Sequence, residues 1–317
     1  MGFNWVYYMV LFLHGTGATS SLWLPQIRGI FGFYEDYSDK YLLDLFTISL
    51  PGHPRKDKSF QYSDIENQID EFAAQNQAKQ KELAQKLLFS NNKTAVNLLR
   101  DPKLILIGHS IGGSLAIRYG LRNLDSVRKI VIISCGFGFN QLALSMTKFL
   151  YYQVVFRLGL RQIQAISSLT RNLRWKTILN ICIENSERKG LVACEDILVS
   201  YNFENLYKKL SLDEQLKFSK IKILGINGQF DFLNLASSLK KMQSFLLEQN
   251  KILGLKHDNL IEKKEIQTII SSTKVTETQK MRTDETNFQY HIYRWKGHNP
   301  MDESPQRFLQ DVINFLA

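Results

Sequence analysis

Several features that would settle a function quickly are missing from this chain. No apolar run reaches the roughly 18–20 residues that a membrane-spanning helix needs. Cysteine is scarce: Cys135, Cys182 and Cys194 are an odd set, spaced neither as a CxxC pair nor as a disulfide framework. Buried, reduced thiols are the expectation. No zinc-ligand spacing occurs, so neither a metal nor another cofactor is expected. There is no RNA- or DNA-binding motif and no lysine/arginine block of the kind that follows phosphates, so the net charge of +10 is not read as nucleic-acid binding. The N-terminus has no basic region and no small-residue cleavage site, and so does not read as a signal peptide. Gly2 follows Met1, but Val6 stands where a myristoylation motif wants Ser or Thr. The expected compartment is the cytosol.

What is present is ordinary globular material. Hydrophobic residues make up 44% of the 317 and charged residues 22%, enough to bury a sizeable core in one large α/β domain with an inserted subdomain. Short aliphatic runs (8–13, 43–50, 103–107, 128–134, 221–226 and 288–295) read as buried strands, most of them ending in a turn rich in Gly, His, Ser or Asp. Helical stretches lie between them, at 65–88, 115–121 and from 235 to about 253. Strands alternating with helices predict a mostly parallel twisted sheet flanked by helices, with sites at the carboxyl ends of the strands. Residues 141–220 break this rhythm and predict a helical cap inserted into a core formed by 1–140 and 221–317. The stretch 256–287, rich in Lys, Glu and Thr, is expected to be a long surface excursion. Ser304 and Pro305 announce a C-terminal helix that buries Phe308, Val312, Phe315 and Leu316.

The chemistry centres on Gly108-His109-Ser110-Ile111-Gly112-Gly113. The pattern follows Leu104-Ile105-Leu106-Ile107 and precedes a helical run, the strand–turn–helix setting of a nucleophile elbow. Serine at such a turn takes strained backbone angles, and the residues two positions either side, Gly108 and Gly112, must lack a Cβ for the turn to close. A serine hydroxyl needs a base, and the base needs an orienting acid. Asp231 and His298 each follow a strand, in that order after Ser110. The other histidines fit the base role poorly: His53 precedes Ser110 in a Pro-rich turn, His109 points away from its neighbour's side chain, His257 falls in the polar excursion and His291 inside a strand. His14-Gly15-Thr16-Gly17 provides a turn for an oxyanion hole, with the N–H groups of Thr16 and Ile111 as donors and His14 bracing the loop.

Taken together, His14-Gly15-Thr16-Gly17, Leu50-Pro51-Gly52-His53, the Ser110 elbow, Asn227-Gly228-Gln229-Phe230-Asp231 and Gly297-His298-Asn299-Pro300, with Glu303 and Pro305 after it, span nearly the whole chain. In this the chain resembles the α/β-hydrolase superfamily, in its helically capped, esterase- or lipase-like branch. The resemblance implies an α/β-hydrolase fold and a Ser110–Asp231–His298 triad. It departs in three respects: about ten residues precede the His14 turn where the family usually places two strands, so either the sequence is truncated or those strands are absent and a sheet edge is exposed; the spacing between the Ser110 strand and the preceding turn is long; and so is the gap between Asp231 and His298.

The resemblance also implies that the cap shapes the substrate pocket. Between 145 and 176 lie Lys148, Arg157, Arg161, Arg171, Arg174 and Lys176 among aromatic and aliphatic residues, with no acid. Such a cap fits a helical layer that buries one face and solvates the other; the sharper alternative is peripheral contact with anionic membranes and entry of acyl chains. A serine nucleophile argues against epoxide hydrolase and haloalkane dehalogenase chemistry. It leaves esterase, lipase, thioesterase, peptidase and C–C hydrolase activity open, as well as a catalytically inactive binding protein of the same fold. A small ester or acyl lipid is the expected substrate.

Overall fold

The computed structural model describes residues 6–16, 18–35, 41–50, 60–89, 104–150, 188–269 and 287–316. Its centre is one sheet of six strands: β1 (Val6–Leu13), β2 (Tyr41–Ile48), β3 (Leu104–His109), β4 (Val127–Ile133), β5 (Lys222–Gly228) and β6 (Phe288–Tyr293). All neighbours are parallel and the order is β2-β1-β3-β4-β5-β6. Among the described residues, β2 pairs only with β1, and β6 only with β5.

The strands read as aliphatic runs because both faces of the sheet are covered. Alternate residues feed two separate cores. Leu104, Leu106, Ile130, Ile132 and Ile223 point to one side, where they meet α2 (Tyr62–Phe89), α3 (Ile111–Arg122) and α8 (Ala236–Ile269). Ile105, Ile107, Val131, Ile133 and Ile226 point to the other, under α1 (Leu24–Glu35), α9 (Pro300–Glu303) and α10 (Pro305–Leu316). Trp23 and Phe12 pack ring to ring in this second core, with centroids 5.3 Å apart. Phe308, Val312 and Leu316 of α10 are buried there at helical spacing, and Phe315 is partly buried beside them.

One charged residue enters the second core. Lys129 of β4 is 4% exposed, and its Nζ donates to the carbonyls of Phe315 and Leu316 at 2.8 and 2.7 Å. Those are orphan carbonyls at the end of α10, so a strand lysine caps the last helix. Burial, with Lys222 nearby, pulls its ammonium pKa down to about 8.

The described part of 141–220 is helical apart from short connections: α4 (Gln141–Leu150), α5 (Arg188–Ser200), α6 (Phe203–Tyr207) and α7 (Leu212–Phe218). α7 opens with a capping box between Ser211 and Glu214. The two ends of the insertion are pinned together. Gly138 and Asn202 form an antiparallel bridge, Phe203 N–H donates to the Phe137 carbonyl at 3.0 Å, and the Tyr201 hydroxyl donates to the Gly136 carbonyl at 2.9 Å. Beyond that point Phe203, Tyr207 and Phe218 are buried in the first core beside α3 and α8. The basic, aromatic stretch from 151 to 176 lies outside the described residues, as do Cys182 and the turn at 51–54; Cys135 and Cys194 are buried free thiols.

One expectation is corrected. The excursion expected to begin at Lys256 does not begin there, because α8 continues as helix to Ile269. The stretch 256–269 has neither Pro nor Gly, and its Lys, Glu and Gln are good helix formers. A polar composition suits an exposed helix as well as a loop. Residues 270–286 of the excursion lie outside the described residues.

Candidate active site

Ser110, Asp231 and His298 all lie just past the carboxyl ends of strands: β3, β5 and β6 respectively. Ser110 is the N-cap of α3, with φ 54° and ψ −116°. A non-glycine residue in that region is strained, as the elbow requires. The close approaches explain the flanking glycines. A Cβ on Gly108 would collide with the backbone of Gly112 and Gly113, and a Cβ on Gly112 would collide with the carbonyls of Leu13 and His14. The elbow is therefore closed on itself and pressed against the end of β1.

Asp231 is 1% exposed. Its Oδ1 accepts the backbone N–H groups of Leu233 and Asn234 at 3.1 and 3.0 Å, an Asx-type turn that fixes the carboxylate. His298 Nδ1 lies 2.9 Å from both Asp231 oxygens. The carboxylate accepts the Nδ1–H, which leaves Nε2 as the free basic nitrogen. The two loops that carry this pair are also joined through the backbone, from Gln229 N–H to the Tyr293 carbonyl and from Phe230 N–H to the Lys296 carbonyl, each at 2.9 Å.

Three further residues hold His298. Glu303 accepts the N–H of Gly297 at 2.9 Å and that of Asn299 at 3.3 Å, one on each side of the histidine. The His298 carbonyl accepts two donors, the Ser134 hydroxyl at 2.6 Å and His109 Nε2 at 2.9 Å. The His109 ring also packs on the His298 ring, with centroids 5.0 Å apart. Ser134 sits at the end of β4 with φ 51°. Burial, and next the charge of His298, push the His109 pKa down to about 3, so it is neutral at physiological pH. Because Nε2 carries the proton, Nδ1 is bare, and it has no hydrogen-bond partner among the described residues.

The turn after β1, expected to form an oxyanion hole, lies against the same elbow. A Cβ on Gly15 would stand 2.5 Å from His109 Nδ1 and 3.4 Å from Ser110 Cβ. His14 is fully buried; its Nε2 accepts the Leu50 N–H at 2.9 Å and its Nδ1 donates to the Gly15 carbonyl at 2.8 Å. It ties the turn after β1 to the chain leaving β2, and with both ring nitrogens occupied it is a brace. The N–H groups of Thr16 and Ile111 make no hydrogen bond among the described residues, and the Thr16 hydroxyl is buried without a partner. The Ser110 hydroxyl likewise makes no hydrogen bond among the described residues, to His298 or to any other group.

The remaining histidines have other places. His291, in β6, pairs through Nδ1 with Asp311 Oδ2 at 2.8 Å. His53 is outside the described residues and His257 falls within α8. Sequence reasoning passed over His109 and Ser134, and it placed Glu303 in the motif without a task. The proximity of Glu303 to His298 in the chain was the one available signal.

The chain belongs to the alpha/beta hydrolase family, whose model matches residues 10–194. A search of curated proteins finds no match. Among solved structures, it is similar to a hydrolase from Pseudomonas aeruginosa PA01 (TM-score 0.59, 11% identity, covering 98% of this chain and 90% of that one). It is also similar to a carboxylesterase structure from the thaumarchaeon Nitrososphaera gargenis (TM-score 0.56, 14% identity, 98% and 89% covered). A third similar structure is a meta-cleavage product hydrolase (TM-score 0.54, 13% identity, 98% and 90% covered). At these identities the likeness is one of fold.

Proposed function

We propose that the protein is a serine hydrolase that cleaves a carboxylic ester, an acyl lipid among the candidates, through an acyl-enzyme. The observation that carries this reading is the Asp231–His298 pair, set in the same strand-end cluster as an elbow serine at φ 54° and two unspent backbone N–H groups, those of Thr16 and Ile111. Ser110 Oγ attacks the acyl carbonyl carbon as His298 Nε2 takes the hydroxyl proton, and Asp231 stabilises the imidazolium. The Thr16 and Ile111 N–H groups hold the oxyanion, an interaction worth about 3 kcal/mol per donor in well-studied cases. Collapse of the tetrahedral intermediate expels the alcohol, which leaves with the His298 proton. Water then attacks the acyl-enzyme with His298 again as base, releasing the carboxylic acid and restoring the Ser110 hydroxyl.

The carboxylesterase among the similar structures supports an ester substrate, and the expected acyl-chain entry through the cap extends it to lipids. A fluorophosphonate probe tests the reading. Labelling of the purified protein that is lost in Ser110→Ala, together with turnover of a p-nitrophenyl ester series, is the expected result. Absence of labelling, or labelling that survives Ser110→Ala, would defeat it in favour of a binding protein. Labelling with release of N-terminal residues from peptides and no ester turnover would assign a peptidase instead, and preferential turnover of acyl thioesters a thioesterase.

A further inference from the structure

The loops that carry Asp231 and His298 turn aromatic side chains outward. Trp295 is 78% exposed, Phe230 56% and Phe232 62%. Phe230 and Trp295 touch, with ring centroids 5.5 Å apart, so they form one apolar knob. Exposed aromatics that pack on one another in water are the kind of patch that marks a contact surface. Trp295 also has φ 60°, the left-handed region that a bulky side chain avoids. Its backbone is locked there, since Trp295 N–H donates to Gln229 Oε1 at 3.3 Å and the next carbonyl, that of Lys296, accepts Phe230 N–H. Glycine would meet this turn without strain. The chain instead carries a tryptophan and exposes it.

The charge on the loops of the knob is mostly positive. From 229 to 247 the single acid is Asp231, which is buried and engaged by His298, while Lys240 and Lys241 are exposed. Arg294 and Lys296 bracket Trp295, while the nearest acids in this part of the chain are Asp302 and Glu303, the latter engaged by the N–H groups of Gly297 and Asn299. The first turns of α4 join the same region, because Asn140 donates from its backbone to the Leu233 carbonyl and from its side chain to the Phe232 carbonyl. That helix exposes Leu142 and Met146, one turn apart, and residues 140–150 contain no acid.

We propose that the Phe230–Trp295 rim is the surface by which this protein docks on an anionic lipid bilayer. Aromatic side chains with a polar edge partition into the headgroup region, and flanking cations add attraction to anionic lipids that salt screens. The net charge of +10 favours the same encounter over long range. The rim thus gives membrane contact a location on the two loops of the acid and the base. The binding is independent of the chemistry at Ser110, so it can be read in Ser110→Ala protein and stands or falls apart from the hydrolase reading.

Vesicle co-sedimentation of the full chain tests it, using phosphatidylcholine vesicles with and without phosphatidylglycerol. The expected result is binding to the anionic vesicles that weakens as salt is raised and is small on phosphatidylcholine alone. Trp295→Gly and Phe230→Ser should each lower the partition coefficient roughly tenfold, the effect of withdrawing one large apolar side chain from burial. Trp295→Gly should do so without lowering Tm, since glycine tolerates φ 60°. Unchanged partition in the double variant, or equal binding to neutral and anionic vesicles, would overturn the proposal. So would a self-association in sedimentation velocity that both substitutions abolish, because a second copy would then be the occupant.

Discussion

The two halves of the candidate site differ in how their polar groups are used. On the Asp231–His298 side the polar groups of the pair are engaged: both Asp231 oxygens, the N–H groups flanking His298, its carbonyl and its Nδ1 all have partners. On the nucleophile side the Ser110 hydroxyl and the N–H groups of Thr16 and Ile111 have none among the described residues, and His109 Nδ1 and the Thr16 hydroxyl are buried without one. Buried polar groups left unsatisfied cost on the order of 1–3 kcal/mol each. The satisfied half holds a geometry, and on the proposed reading the other half receives the acyl group of the substrate.

This contrast can be broken at several points. The largest effect is expected from His298→Ala, which removes the base and should lower kcat by about four orders of magnitude, to the level of Ser110→Ala, because the two act as one unit. Near-normal turnover in that variant would place the base elsewhere. Next is Glu303→Ala, which frees both N–H groups around His298. A displacement of the base by about 1 Å can cost roughly 10²-fold, and the loss should appear in kcat with little change in KM. A loss confined to Tm would make Glu303 merely structural.

His109→Gln is expected to be milder, about tenfold or less in kcat, since one hydrogen bond to a carbonyl is at stake. Its sharper signature is in stability against pH. The folded protein holds His109 neutral with a pKa of about 3 while the unfolded chain protonates it below about 6.5. The unfolded state therefore binds more protons between these values, and stability is lost as pH falls through 6.5 toward 3. Between pH 7 and pH 5 the wild type should lose about 2 kcal/mol more than the Gln variant in urea unfolding, from about 1.5 units at 1.36 kcal/mol each. Equal slopes would mean that His109 takes up a proton in the fold. The smallest effect belongs to Thr16→Ala. If Thr16 serves through its backbone N–H, kcat should stay within about threefold; a loss near 10²-fold would assign the donor role to its hydroxyl.

The parts visible in the sequence are those in which residue type and position are both constrained. Buried parallel strands must be aliphatic on both faces, so 103–107 and 128–134 announced β3 and β4 almost to the residue. Ser110, Asp231 and His298 stood out because each follows a strand end beside glycine or another turn residue. Ser134 and Glu303 did not, since their task is one hydrogen bond to a backbone atom, and nothing in a serine or a glutamate advertises a distant carbonyl or N–H as partner. The helix through 256–269 was missed for a related reason: its polar residues are equally at home on an exposed helix and in a loop. Lys129 would have been assigned to solvent by type, yet it is buried against the end of α10.

The placement of β6 at the sheet edge carries a consequence for the order in which the protein becomes competent. β6 joins the sheet through β5 alone among the described residues, and His298 follows it. During synthesis the amino-terminal strands emerge and pair first. On the proposed reading, the serine elbow and the acid turn are therefore in place before the base. On that reading, pairing of the edge strand is the step that brings the base to the rim, so hydrolase activity should appear only once β6 has docked on β5.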